Sequence, residues 1–153
     1  MHHLTLVAVG SLKTTWVKEG CAAFLERIAH DSSIEVIEIP ASKEKDPLRQ
    51  SKEESQKILE RLTKLNGVVW VLDERGKTVT SKSFSEEISV LTDRGESIIF
   101  VIGGAYGLTD VVRKAGSVLK LSDMTLPHEL CRVVFLEQLY RAIEIGRGSG
   151  YHH

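Results

Sequence analysis

Five short apolar runs, at residues 4–9, 34–39, 68–72, 98–102 and 118–121, set the strongest limit on what this chain can fold into. The third and fourth are continuous and rich in β-branched residues, the pattern of strands covered on both faces. Between the runs the period changes. Val17, Cys21, Phe24, Leu25 and Ile28 recur at helical spacing. Asp46-Pro47 is an N-cap and first-turn pair opening a helix whose apolar stripe reads Leu48, Ile58, Leu62 and Leu65. Ser83-Phe84-Ser85-Glu86 has the form of a capping box, followed by Ile88 and Leu91 and stopped at Gly95. Thr109 can cap a short helix ending near Gly116. Pro127 opens a last helix with Leu130, Val133, Val134, Ala142 and Ile143 among its apolar positions. This βαβα order predicts a single α/β domain over residues 1–153, with a mostly parallel sheet flanked by helices.

Composition narrows the class of function. A formal net charge of −1 gives no global positive field to announce a nucleic-acid partner. A local patch would still be compatible with one. Cys21 and Cys131 match no metal or redox spacing, so reduced thiols and a cytoplasmic protein are expected. No metal site is expected. The first residues lack the basic start and cleavage pattern of a signal peptide, and no apolar run approaches the ~20 residues of a membrane span. The charge-rich stretch 43–57 reads as a solvated loop and helix face.

Ligands of parallel α/β sheets bind beyond the carboxyl ends of the strands, so the segments after each run are the candidates. After the third comes Asp73-Glu74-Arg75-Gly76-Lys77, after the fourth Gly103-Gly104-Ala105-Tyr106-Gly107-Leu108, and after the fifth Ser122-Asp123-Met124-Thr125-Leu126. The glycine loop is a poor dinucleotide fingerprint. Its G-x-G-x-x-G spacing would need glycine at 102, where Ile102 stands, and it follows the fourth strand rather than the first. A simple strand exit is the other reading. His128 lies at the start of the last helix, where the dipole disfavours positive charge; it suits either a ligand contact or a backbone-satisfied imidazole. The tail from Gly146 to His153 reads as a frayed end or as an arm that closes over a site and stacks on a base.

In order and at matching length, several segments coincide with one family. They are Leu4-Thr5-Leu6-Val7-Ala8-Val9-Gly10, Ile102-Gly103-Gly104-Ala105-Tyr106-Gly107-Leu108, Leu121-Ser122-Asp123-Met124-Thr125-Leu126-Pro127-His128, Arg132-Val133-Val134, Glu137-Gln138-Leu139-Tyr140-Arg141-Ala142 and the terminal Tyr151-His152. Over essentially the whole chain the sequence resembles the SPOUT-class methyltransferases that modify N3 of a pseudouridine in large-subunit (23S) ribosomal RNA. The resemblance implies a C-terminal deep trefoil knot, which no periodicity argument would find because threading is rare. It also implies S-adenosylmethionine bound in the loops of that knot, and a homodimer whose two chains jointly frame each site.

Carried over by position, the cofactor contacts are Leu72, Gly103, Leu121, Ser122, Asp123, Met124, Thr125 and Leu126, acting largely through backbone groups. Glycine at 103 is expected to admit the ligand to the backbone. His128, Arg141, Tyr151 and His152 fall on the RNA side. There the imide proton goes to His128, His152 or water, Arg141 meets phosphate or an imide carbonyl, and Tyr151 stacks on or hydrogen-bonds the base. An ion pair with Glu137, one turn away, is the structural alternative for Arg141. The sequence departs from the family at Gly150, where relatives often carry proline or a bulkier residue, which questions the rigidity of the tail. Near-neutral charge suits an assembled ribosome better than naked RNA as substrate. Two other classes stay open: a Rossmann-like oxidoreductase using Gly103, Gly104, Gly107 and Asp123, and a non-catalytic ribosome-binding module.

Overall fold

The computed structural model describes residues 2–153. The chain runs β1 (His2–Val9), α1 (Thr15–Ile28), β2 (Ser32–Ile39), α2 (Pro47–Leu62), β3 (Val68–Thr78), α3 (Ser81–Asp93), β4 (Ile98–Ile102), α4 (Asp110–Arg113), β5 (Ser117–Lys120) and α5 (His128–Arg147). All five apolar runs are strands. They form one sheet in the order β2-β1-β4-β3-β5, with every neighbouring pair parallel.

The two-residue period of the strands divides the core between the faces. Leu4, Leu6 and Ala8 of β1, with Phe100 of β4 and Trp70 of β3, point toward α1, α3 and α5. Val7, Val9, Val71, Ile99 and Val101 point the other way, toward Ile58 of α2 and Val112 of α4. The central strand β4 is buried at all five residues, which is why its sequence is unbroken apolar. On the first face Phe100 packs against Phe135 with ring centroids 4.8 Å apart, and Trp70 and Phe84 complete an aromatic cluster under α5.

Three local expectations shift. Asp46 caps α2 as expected, its carboxylate accepting from Arg49 N at 3.0 Å. Leu48, however, is 82% exposed, because the first turn of α2 overhangs the carboxyl edge where the sheet ends. The capping box of α3 begins three residues earlier than read. Thr80 is the cap and Ser83 the answering side chain, each accepting from the other's backbone N–H at 3.0 Å. Thr80 takes the cap because it leaves β3 in an extended conformation two residues after the strand ends. At α5, Pro127 is the cap residue and His128 the first helical one.

Strand β3 departs from regular pairing. Leu72 pairs with Leu119 of β5, and after a detour through residues 73–76 Lys77 meets Leu119 again. The detour lies hard against β5. A Cβ on Gly76 would fall 2.5 Å from the carbonyl carbon of Leu119.

Candidate functional site

Strands β3, β4 and β5 are neighbours in the sheet and parallel, so the three segments that leave them emerge side by side. Together they wall a cleft of about 1060 Å³. Leu72 to Arg75 form one wall, Ile102 to Leu108 the second, and Lys120 to His128 with Cys131 the third. Every residue assigned to cofactor contact in the sequence is on these walls, and His128 is there with them. The apolar lining includes Leu72, Ile102, Leu108, Leu121 and Leu126, and polar residues such as Asp73, Arg113, Ser122, Thr125 and His128 stand among them. A volume of this size suits a nucleoside-sized ligand or larger.

The walls are held by specific contacts. Arg113 of α4 donates to the Leu108 carbonyl at 2.6 Å and to Asp73 at 3.2 Å, tying the glycine loop to the β3 exit. Its guanidinium also pairs with Asp110, whose carboxyl is thereby held below the usual carboxylate range. In the third wall Lys120 pairs with Asp123, and Ser122 Oγ accepts from Met124 N at 3.0 Å. The side chains of Asp123 and Met124 are themselves exposed.

Gly103 has a packing reason to be glycine as well. A Cβ there would lie 2.8 Å from Leu108 Cγ, so the missing side chain makes room for Leu108 inside the loop. The loop is packed on itself before any ligand arrives.

Glu129 anchors the start of α5. Its Oε1 accepts from Lys13 N at 2.8 Å and Thr14 N at 3.1 Å. Thr14 makes no side-chain cap of its own for α1, so Glu129 satisfies that helix start across the fold. The Thr14 and then the Lys13 backbone N–H groups hold the Glu129 carboxyl below its ordinary range. Next to it, burial pushes the Cys131 thiol up to about 11. Both cysteines are free thiols.

Arg141, Tyr151 and His152 gather elsewhere. Thirteen residues separate Arg141 from His128 on α5, roughly 20 Å of helix and more than half a turn of rotation. Beyond Gly148 the tail folds back on α5, and Tyr151 stands edge-on to Tyr140 with centroids 4.9 Å apart. Glu137 Oε1 accepts from Arg141 at 2.7 and 3.0 Å and from the Tyr151 hydroxyl at 3.2 Å. Arg141 also meets His152 Nδ1 at 3.1 Å and lies over the Tyr151 ring. The ion pair with Glu137 and the clustering of the RNA-side residues are therefore one arrangement. Burial, then Glu137, raises the Tyr151 hydroxyl above its usual value, while Glu137 raises Arg141.

The sequence reading missed Arg113, Glu129 and the polar face of α2. Arg113 reaches Asp73, 40 residues away, Glu129 reaches Lys13, 116 away, and Ser51 reaches Gly107, 56 away, so no local spacing marks these contacts. Among the described residues no cluster of His, Cys, Asp and Glu could hold a metal ion, and no helix is long and apolar enough to cross a membrane.

Residues 2–152 match the family described as "Predicted SPOUT methyltransferase". Among relatives, the ribosomal RNA large subunit methyltransferase H of Nitratidesulfovibrio vulgaris is 42% identical, with all of both chains covered. The proteins of that name from Bacillus cytotoxicus and Lactobacillus johnsonii are each 37% identical over 98% of this chain and 99% of their own.

Proposed function

Because the chain belongs to the SPOUT methyltransferase family, we propose that it is an S-adenosylmethionine-dependent enzyme that methylates N3 of a pseudouridine in large-subunit (23S) ribosomal RNA. The observation that carries this reading is 37–42% identity over the full length to relatives named for large-subunit RNA methylation, in a chain whose matching segments 102–108 and 121–128 wall one cleft. The residues present fit the cofactor. Leu72, Leu121 and Leu126 offer apolar surface for a purine, and the loops around them offer backbone donors and acceptors for the ribose and the amino-acid end.

When bound, S-adenosylmethionine supplies an electrophilic methyl group on a good leaving group. The chain's own work is to hold the base in line and exclude water. Proton removal from N3 falls to His128, which lines the third wall, to His152 or to water. Arg141 offers its guanidinium to phosphate or an imide carbonyl, Tyr151 its ring to the base, and His152 a second imidazole. The roughly 20 Å between His128 and Arg141 leaves one chain without both halves of a site. A homodimer resolves this: the tail cluster of one protomer faces the cleft of its partner. Membership of this family also supports a trefoil crossing at the C-terminal end of the chain.

The near-neutral chain argues for assembled ribosomes as substrate, and hence for the cytoplasm, because few phosphates can be neutralised by a protein of net charge −1. A dinucleotide-dependent oxidoreductase fits less well. The helix after the glycine loop has only four residues, too short to direct a helix N-terminus at a pyrophosphate, and Leu108 already fills the space that Gly103 leaves. Calorimetry with S-adenosylmethionine and with NAD separates these two, binding being expected for the first alone. The decisive experiment is mass mapping of ribosomal RNA from a strain lacking the gene, with and without its restoration. One methyl group should vanish from a large-subunit pseudouridine and return. An unchanged map refutes catalysis and leaves a ribosome-binding module.

A further inference from the structure

Helix α2 buries polar side chains where apolar ones would be expected. Ser51, Glu54 and Ser55 are 9%, 3% and 1% exposed. Burying hydroxyls and a carboxylate is costly unless they are bonded, so each needs a structural reason. Their bonds lead out of the helix. The Ser51 hydroxyl donates to the Gly107 carbonyl at 3.1 Å, and Ser55 Oγ accepts from Thr109 N at 3.1 Å. Glu54 Oε2 accepts from Ser42 N at 2.8 Å, in the segment after β2. Its other oxygen, Oε1, is buried without a hydrogen-bond partner and lies against Gly104, where a Cβ would come within 2.6 Å of it.

The glycine loop is thus gripped at Gly104, Gly107 and Thr109 by three side chains on the side away from the cleft. None of the three lines the cleft, so none can touch a ligand there. We propose that Ser51, Glu54 and Ser55 are positioning residues that fix the shape in which the glycine loop meets the cofactor, an inference that rests on the methyl-donor reading above. Their effect passes through backbone. The loop offers the cleft mainly peptide groups, and a small change in their direction costs ligand hydrogen bonds one by one.

The test is the double variant Ser51→Ala/Ser55→Ala, compared with the unaltered protein by calorimetry with S-adenosylmethionine and by amide exchange without ligand. Loss of two loop contacts should weaken cofactor binding about tenfold, with kcat at saturating cofactor within about twofold. Exchange should quicken at residues 104–109 and stay slow in β1 and β4. Unchanged cofactor affinity overturns the proposal, whatever happens to the melting temperature. So does exchange that quickens through the central strands as well, which would mark a general loss of stability. If the unaltered protein binds no S-adenosylmethionine, the methyl-donor reading fails. Exchange at 104–109 then decides alone whether α2 holds the loop.

Discussion

The cleft and the tail cluster are built in opposite ways. The cleft is made from three loops on adjacent parallel strands, braced by Arg113, by the Lys120–Asp123 pair and by Glu129 at its back. The tail cluster is made from one helix and the eight residues around and beyond its end, gathered on a single oxygen of Glu137. The first is rigid because many elements converge on it. The second is local, held by little except α5. This contrast suits a cofactor site that must pre-form and a substrate arm that must open.

The largest expected effect comes from removing the arm's charge. Arg141→Ala should lower methylation of ribosomes on the order of 10²-fold, the scale of a lost charge-assisted contact, with cofactor affinity unchanged by calorimetry. Equal loss of both would erase the distinction between the two regions. The same variant sharpens the dimer reading when mixed with a chain whose glycine loop is displaced by Gly103→Val, which would run into Leu108. Random pairing should restore about a quarter of the sites of the unaltered protein, and no restoration would place both halves within one chain.

Deleting Tyr151 to His153 should come next, reducing turnover by roughly tenfold or more while the melting temperature stays the same. Free RNA methylated as fast as ribosomes would remove the argument from charge. On the cleft side, Arg113→Ala should weaken S-adenosylmethionine about tenfold and leave ribosome binding alone. The smallest effect is at Glu129, where Glu129→Gln should lower the melting temperature slightly at neutral pH. The carboxyl is held low in the fold, so its contribution is complete above the ordinary carboxylate range and is lost as pH falls through the depressed value. The gap between the two proteins should therefore close in acid. A gap that persists there would assign the effect to packing.

Much of this was legible in residue order alone. Strands announce themselves by continuous β-branched runs, and the central β4 most plainly, because burial on both faces leaves no room for a polar residue. The walls of the cleft followed from knowing where parallel strands end. What spacing concealed was every contact that closes over distance. Leu48 continues the stripe of α2 in sequence yet projects past the sheet, and Glu54 reads as one more charge in a solvated stretch yet is buried. Gly103 stands on the cleft wall, and the room it leaves for Leu108 five residues on is nowhere visible in spacing. A linear pattern records which side of an element faces inward. It does not record what waits there.

The bond from Glu129 to Lys13 and Thr14 has a consequence for the order of assembly. It joins positions 115 and 116 residues apart, and Arg132 repeats the link by donating to the Gly10 carbonyl and to Glu38. The first helix therefore receives its cap from almost the last part of the chain to be synthesised. During translation at roughly 5–20 residues per second, β1 and α1 must wait several seconds with one face open. The N-terminal cap of α1 is therefore complete only once α5 is in place, although β1 and β2 already pair with each other along their full length.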